Sequence, residues 1–351
     1  MKNLKIEENT SLKNYNTFKV DVKAKYLAIP KTIEEIKGVL EKFKDEKLII
    51  LGGGSNVLFT KDWDGLVLIP NLKGINVVKE DDKHVYVQAS AGEIWDEFVR
   101  WCVKNDYAGI ENMVMIPGTV GGGVSQNIGA YGQEISKVIE EIKVLDIETF
   151  EEKRLKPKDC AYGYRKSNFK NIWQNRYLIT STIFKLTKHT KEFELSYHER
   201  AGRYGSLKEE LDSFAKEPYS IQDVMEAIVR QRGKRLPSVE EYGTAGSFFA
   251  NPIVTVEKFN DLSKIIEELQ SYPAEGYSDE YLKIPAGRLL DELGWKGKKI
   301  GNVATFERHA LCVVTNMNAT GEEILNFIKE MQRDVKEQYD IELIPEVNII
   351  Y

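Results

Sequence analysis

The spacing of apolar residues changes several times along the chain, and each change predicts an element. Tyr26-Leu27-Ala28-Ile29-Pro30 reads as a short strand stopped by its proline. From Thr32 the period becomes helical: Ile33, Ile36, Val39, Leu40 and Phe43 share one face, and Thr32 with Glu35 has the spacing of a capping box. Leu48-Ile49-Ile50-Leu51 is a buried strand that runs straight into three glycines. LVLI, INVV and HVYVQA between 66 and 90 are strand-like, with the acidic turn EDDK before the last. A helix over 93–106 is expected to bury Ile94, Phe98 and Trp101. The stretch 109–132 breaks the pattern, being poor in charge and too dense in glycine for an ordinary helix or strand. KVLDIETFEEKRL predicts a hairpin and YLITSTIFKL a further strand, after which 188–220 turns polar, with Tyr197, Tyr204 and Tyr219 scattered through it, like an insertion between domains.

The last third is more helical. Ser220 caps a helix carrying Ile221, Val224, Met225 and Ile228, and helices near 256–269 and 286–293 precede the strand ALCVVT. Thr320 with Glu323 opens a helix that places Ile324, Phe327, Ile328, Met331 and Val335 on one face. IELIPEVNIIY predicts a closing strand. No internal repeat is visible.

With 351 residues the chain is long enough for two or three domains, and a net charge of −6 without a basic stripe argues against a nucleic-acid surface. No apolar run is long enough to span a bilayer, and the first residues lack the apolar core of a secretory signal. Cys102, Cys160 and Cys312 are isolated, which suits free thiols in a reducing cytoplasm, and the four histidines have no metal-ligand spacing. No metal is expected.

Five segments carry candidate chemistry. Gly52-Gly53-Gly54-Ser55-Asn56 offers successive N–H groups that could form a nest for a diphosphate. It is neither a dinucleotide fingerprint, since Val57 stands where the third glycine belongs, nor a P-loop, and alone a plain turn explains it better. IPGTVGGGVSQNIGAYG (116–132) exposes further donors and reads as a loop buried against a ligand rather than a surface loop. In Tyr162-Gly163-Tyr164-Arg165 the arginine suits a carboxylate or phosphate clamp, or simply a surface stack on tyrosine. Ser247, in GTAGSFFANP, has no histidine nearby to activate it as a nucleophile, which leaves proton donation or a turn role. Glu346, in the apolar closing segment, faces solvent, a cation or an active site.

Together and in this order, GGGSNVLF, IPGTVGGGVSQNIGAYG, YGYRKSNF, GTAGSFFANP and PEV closely resemble the UDP-N-acetylenolpyruvoylglucosamine reductases, over nearly the whole chain. The resemblance implies an α+β fold: a two-subdomain FAD-binding module of the vanillyl-alcohol-oxidase-like class and a smaller C-terminal substrate domain. The implied division is 1–72 with 341–351, then 73–220, then 221–340. It implies non-covalent FAD held by Gly52, Gly53, Gly54, Ser55 and Asn56 and by Pro117, Gly118, Thr119, Gly122, Gln126, Asn127 and Gly129. NADPH would be the hydride donor and a UDP-sugar the substrate, contacted by Tyr131, Tyr164, Tyr197, Arg232, Asn251 and Lys296. Arg165 and Glu346 would stabilise an enolate, Glu346 carrying or sharing a proton, and Ser247 would be the general acid. A cytoplasmic monomer is expected, with neither nucleic acid nor membrane as partner. The alternatives are a related flavin oxidase and a nucleotide-sugar binding protein without catalysis. The first is disfavoured by the lack of histidine or cysteine for covalent flavin in 49–59 and 115–132, the second by the retention of Arg165, Ser247 and Glu346.

Overall fold

The computed structural model describes residues 4–190, 192–195, 206–274 and 276–351. They form two compact units, one built from the chain up to residue 10 with 24–53 and 64–234, the other from 11–23, 54–63 and 235–351.

In the first unit a four-stranded sheet runs in the order Ile6–Ser11, Lys23–Ala28, Trp63–Leu68, Leu48–Ile50, its last pair parallel. Helix α1 (Ile33–Lys42) buries Ile36, Val39 and Leu40, as its period requires. Thr32 accepts the Glu35 N–H at 3.1 Å, while the Glu35 carboxylate turns to the Lys31 N–H at 2.7 Å, so only half of the expected box forms. A larger antiparallel sheet runs Glu152–Leu155, Ile139–Asp146, Tyr177–Lys188, His84–Ser90, Ile75–Glu80, with Tyr107–Ala108 beside Tyr177–Lys188. His84–Ser90 alternates strictly, and its inward Val85, Val87 and Ala89 share a core with helices α2 (Trp95–Lys104) and α3 (Val120–Gln126).

Two expectations fail here. The buried face of α2 is Trp95, Phe98, Val99, Cys102 and Val103, whereas Ile94 is exposed and Trp101 only half-buried. The spacing of that set is the helical one; the expected register was one residue off. The glycine-dense stretch contains α3, a helix through Gly121-Gly122-Gly123. Glycine is a poor helix former, and packing overrides it here. A Cβ on Gly121 would lie 2.8 Å from the Ala91 Cβ, and one on Gly123 2.8 Å from the Ile128 Cδ1. The helix can sit this close to its neighbours only without side chains at those positions. Helices α4 (Leu207–Asp212) and α5 (Ile221–Arg235) complete the unit as far as Lys234, and Ser220 caps α5 through Asp223.

The second unit holds an antiparallel sheet in the order Gly243–Ser247, His309–Thr315, Val303–Phe306, Lys299–Ile300, and a three-stranded sheet in the order Ile253–Thr255, Tyr281–Lys283, Tyr272–Pro273. Helices α6 (Val256–Ser263), α7 (Ala286–Glu292) and α8 (Gly321–Tyr339) accompany them. The capping box of Thr320 and Glu323 is complete, and α8 buries all five expected residues. The closing segment is strand only over Asn348–Ile350, parallel to Val57–Phe59. Before it, Pro345 makes a single bridge with Phe249, because proline has no N–H to continue a ladder.

Candidate active site

In the first unit the two glycine segments lie backbone against backbone. A Cβ on Gly53 would stand 2.6 Å from the Gly118 Cα, and one on Gly52 2.8 Å from the Thr119 Oγ1. Gly52 and Gly53 are therefore required first by this close approach. Thr119 caps α3 by accepting the Gly122 N–H at 3.3 Å. The N–H groups of Val120 and Gly121 donate to the Glu93 and Ala91 carbonyls, both at 2.9 Å, which removes them from any anion site. Among the described residues, no carbonyl takes the N–H groups of Gly52, Gly53 or Thr119. Gly53 is exposed, and Gly52 and Thr119 are half-buried. N–H groups that no described carbonyl takes, on two segments in close contact, fit a diphosphate.

The other expected positions of this unit divide into engaged and open ones. Asn127 is fully buried in the left-handed region, φ +50°. Its side chain donates to the Gly163 carbonyl at 2.8 Å and accepts the Ser136 N–H at 3.3 Å, so it holds loops together. Gln126 lies half-buried in the last turn of α3, and Pro117 is exposed before its cap. Arg165 also has positive φ, +54°, in a tight turn closed by reciprocal Gly163 and Lys166 backbone bonds of 3.1 and 2.9 Å. Its guanidinium donates to the Gly129 carbonyl at 2.8 Å and lies 5.5 Å from the centre of the half-buried Tyr164 ring. Tyr131 is buried, and Arg232, on α5, donates to the Met115 carbonyl at 3.2 Å. Tyr197 lies outside the described residues.

The second unit brings Ser247 and Glu346 onto adjoining segments. Phe248 accepts the Glu346 N–H at 2.8 Å, and Ala250 donates to the Ile344 carbonyl at 3.0 Å. Both Ser247 and Glu346 are half-buried. Asn56, at the end of the first glycine turn, donates its Nδ2 to the Glu346 carbonyl at 3.2 Å, and its own carbonyl accepts the Asn348 N–H at 3.1 Å. Gly54, φ +63°, fits under the Tyr15 carbonyl only because it has no Cβ, and Ser55 beside it is half-buried. Asn251 uses its Oδ1 to accept the first N–H of α7, from Ala286, at 3.0 Å.

One group here escaped sequence reasoning. His309 is held below its usual value by burial, then by the charges of Arg235 and Lys296, against the opposing charge of Asp291. Lys296, expected to contact the UDP-sugar, lies 3.9 Å from Asp291. Residues 235, 291, 296 and 309 have no common motif, so nothing in the sequence joins them.

Comparison with known proteins decides the family. Residues 24–149 match the family described as FAD binding domain, and residues 238–350 the one described as UDP-N-acetylenolpyruvoylglucosamine reductase, C-terminal domain. A UDP-N-acetylenolpyruvoylglucosamine reductase of Flavobacterium johnsoniae is 42% identical over 347 residues, covering 99% of this chain and 100% of its own. The chain belongs to the UDP-N-acetylenolpyruvoylglucosamine reductase family. Proteins of the same name from Paraburkholderia xenovorans, 39% identical over 95% of each chain, and Amoebophilus asiaticus, 35% identical over 98% of this chain and 99% of the other, agree. The crystal structure of the Thermus caldophilus reductase aligns over 99% of this chain and 100% of that one, with a TM-score of 0.67 at 23% identity, and speaks for a common fold. The expected α+β fold, FAD-binding module and flavin-dependent oxidoreductase class are thereby borne out. Among the described residues, no helix is long and apolar enough to cross a membrane, and no group of three or more potential metal ligands occurs.

Proposed function

We propose that this reductase converts UDP-N-acetylenolpyruvoylglucosamine to UDP-N-acetylmuramate, a peptidoglycan precursor, at the expense of NADPH. What supports the reading most is the end-to-end 42% identity to a protein of that name in a chain that keeps the donor nest, Arg165, Ser247 and Glu346. The nest at Gly52–Asn56 and the Gly118–Thr119 cap are the groups that would hold the FAD diphosphate, with Gly122, Gln126 and Gly129 nearby in sequence. FAD, when bound, supplies the hydride, taken from NADPH, to the terminal vinyl carbon of the substrate.

The chain's own residues handle the charge and the proton. Hydride addition converts the CH2=C group to CH3 and leaves an electron pair on the carbon bearing the ether oxygen and the carboxylate. That pair spreads into the carboxylate as an enolate. Arg165, fixed on the Gly129 carbonyl, supplies positive charge where the enolate develops. Glu346, whose N–H donates to the Phe248 carbonyl and whose carbonyl accepts the Asn56 Nδ2, shares a proton with the enolate carboxylate. Ser247 gives its hydroxyl proton to the carbanion carbon, completing the lactyl ether. Tyr131, Tyr164, Arg232, Asn251 and Lys296 are the candidates for contact with the nucleotide-sugar.

Stopped-flow spectroscopy tests the whole scheme. The yellow protein should bleach on mixing with NADPH and regain colour only when the enolpyruvyl nucleotide is added. A purified protein that takes up no FAD, or that reoxidises only with oxygen, would overturn the proposal.

A further inference from the structure

Glu111 opens a short 3-10 turn, Glu111–Met113, and is only 2% exposed. Its two oxygens are both used. Oε2 accepts the Gly109 N–H at 2.6 Å, and Oε1 accepts the Gln133 Nε2 at 2.7 Å. The Gln133 Oε1 accepts the Asn112 N–H at 2.9 Å, and the Asn112 Nδ2 donates to the Tyr131 carbonyl at 2.8 Å. The bond to Gly109 alone needs only one acceptor oxygen, which a neutral amide would supply. The second oxygen is what Gln133 requires.

Gln133 belongs to a tight hairpin in which Gly129–Ala130 pairs with Gln133–Glu134, Gln133 opposite Ala130 and Glu134 opposite Gly129. The same hairpin presents the Gly129 carbonyl to the Arg165 Nη2 at 2.8 Å. A Cβ on Gly129 would lie 2.7 Å from the Gln133 carbonyl oxygen and 3.5 Å from the Arg165 Nη1, so the fit on both sides is close. The nearer of the two carbonyls that hold the Arg165 guanidinium, that of Gly129 at 2.8 Å against that of Asn127 at 3.4 Å, therefore sits on the hairpin that Gln133 builds, and Gln133 is held by Glu111.

We propose that Glu111, acting through Gln133, is a positioning residue for Arg165. The proposal rests on the reading of Arg165 as the cation that meets the enolate. Hydrogen-bond donors and acceptors define the test. Glu111→Gln leaves one acceptor oxygen for two donors, Gly109 and Gln133. Gln133→Glu sets two carboxylates face to face. The exchange variant Glu111→Gln/Gln133→Glu restores every bond: the amide at 111 accepts from Gly109 and donates to 133, and the carboxylate at 133 accepts from it and from Asn112.

The experiment uses the FAD-loaded full chain in stopped flow. Each single variant should slow flavin reoxidation by the enolpyruvyl nucleotide by up to about a hundredfold, the scale of a small misplacement of a catalytic group, while flavin reduction by NADPH is unchanged. The exchange variant should recover most of the rate. In an Arg165→Ala background Glu111→Gln should cost nothing further, since the residue it positions is gone. An exchange variant as slow as the singles, or an equal loss with and without Arg165, would overturn the proposal. Should a single variant fail to fold, the exchange variant with and without Arg165→Ala carries the comparison. If Arg165→Ala alone leaves reoxidation untouched, the reading of Arg165 is wrong and the proposal goes with it, an outcome distinct from failed rescue.

Discussion

Two glycine-to-alanine changes separate what the glycine segments do for the fold from what they do for the cofactor. At Gly53 the new Cβ would lie 2.6 Å from the Gly118 Cα and 3.2 Å from the Gly118 carbonyl carbon. Both neighbours are backbone, and ordinary contact begins near 3.4 Å. The two segments must part by roughly 1 Å, an overpacking that costs about 1–3 kcal/mol. At Gly122 the Cβ meets only the Thr119 Oγ1, at 3.4 Å. Alanine there relieves a helical glycine and stabilises the apoprotein by up to about 1 kcal/mol. The new methyl nevertheless stands next to the capping threonine, where we propose that the FAD diphosphate binds. Thermal denaturation of apoprotein and titration with FAD should therefore move in different ways. Gly53→Ala lowers both Tm and FAD affinity; Gly122→Ala leaves Tm equal or higher and weakens FAD by about tenfold or more, the equivalent of about 1.4 kcal/mol. An unchanged FAD Kd in Gly122→Ala would remove the cofactor from the α3 terminus, and an unchanged Tm in Gly53→Ala would refute the loop-against-loop packing.

Other outcomes follow from single groups. Ser247→Ala should keep flavin reduction by NADPH while substrate turnover falls by ~10²–10⁴-fold, the scale of a lost general acid; unchanged turnover would take Ser247 out of the chemistry. His309 is held below its ordinary value of 6.5 by burial and by Arg235 and Lys296. The unfolded chain then binds a proton that the folded one resists, so this contribution to stability is complete above 6.5 and is lost as pH falls through the lowered folded value. His309→Asn should flatten the decline of Tm on acidification below pH 6.5, and an identical slope would show that the histidine does not report its surroundings. Asp146, buried in the hairpin of residues 139–155, is lowered chiefly by its hydrogen bond to Lys153 at 2.8 Å and also accepts the Glu148 and Thr149 N–H groups. Its stabilisation is present above the ordinary aspartate value of 3.8 and lost below. Asp146→Asn should cost about 1–3 kcal/mol in denaturant unfolding at neutral pH, the range for a buried polar group left with an unmatched donor.

Local rules carried most of the elements and packing decided the rest. The Thr320–Glu323 box and the stripe of α8 are signals contained in a single turn and a single face, and the helix forms where they stand. In α2, Ile94 and Trp95 are both apolar neighbours, and only the sheet beneath decides that the tryptophan goes in. Helix α3 was illegible because its glycines answer to Ala91 and Ile128, residues whose proximity no periodicity encodes. The same holds for the site. The glycine runs, Arg165, Ser247 and Glu346 are visible as motifs. The contact of Gly53 with Gly118, the linkage of Glu111 to Arg165 and the cations around His309 join distant residues and emerge only from the fold.

The bond from Asn56 to the Glu346 carbonyl spans 290 residues of chain, and the pairing of Val57–Phe59 with Asn348–Ile350 closes the same loop. Closing a loop of that length costs about 5 kcal/mol in chain entropy, which is recovered only when the partner strand is present. During synthesis the second half of the first glycine turn therefore waits for residues 346–350 to leave the ribosome. A nascent chain cut short before residue 346 would leave Asn56 and the strand Val57–Phe59 without the partners that hold them.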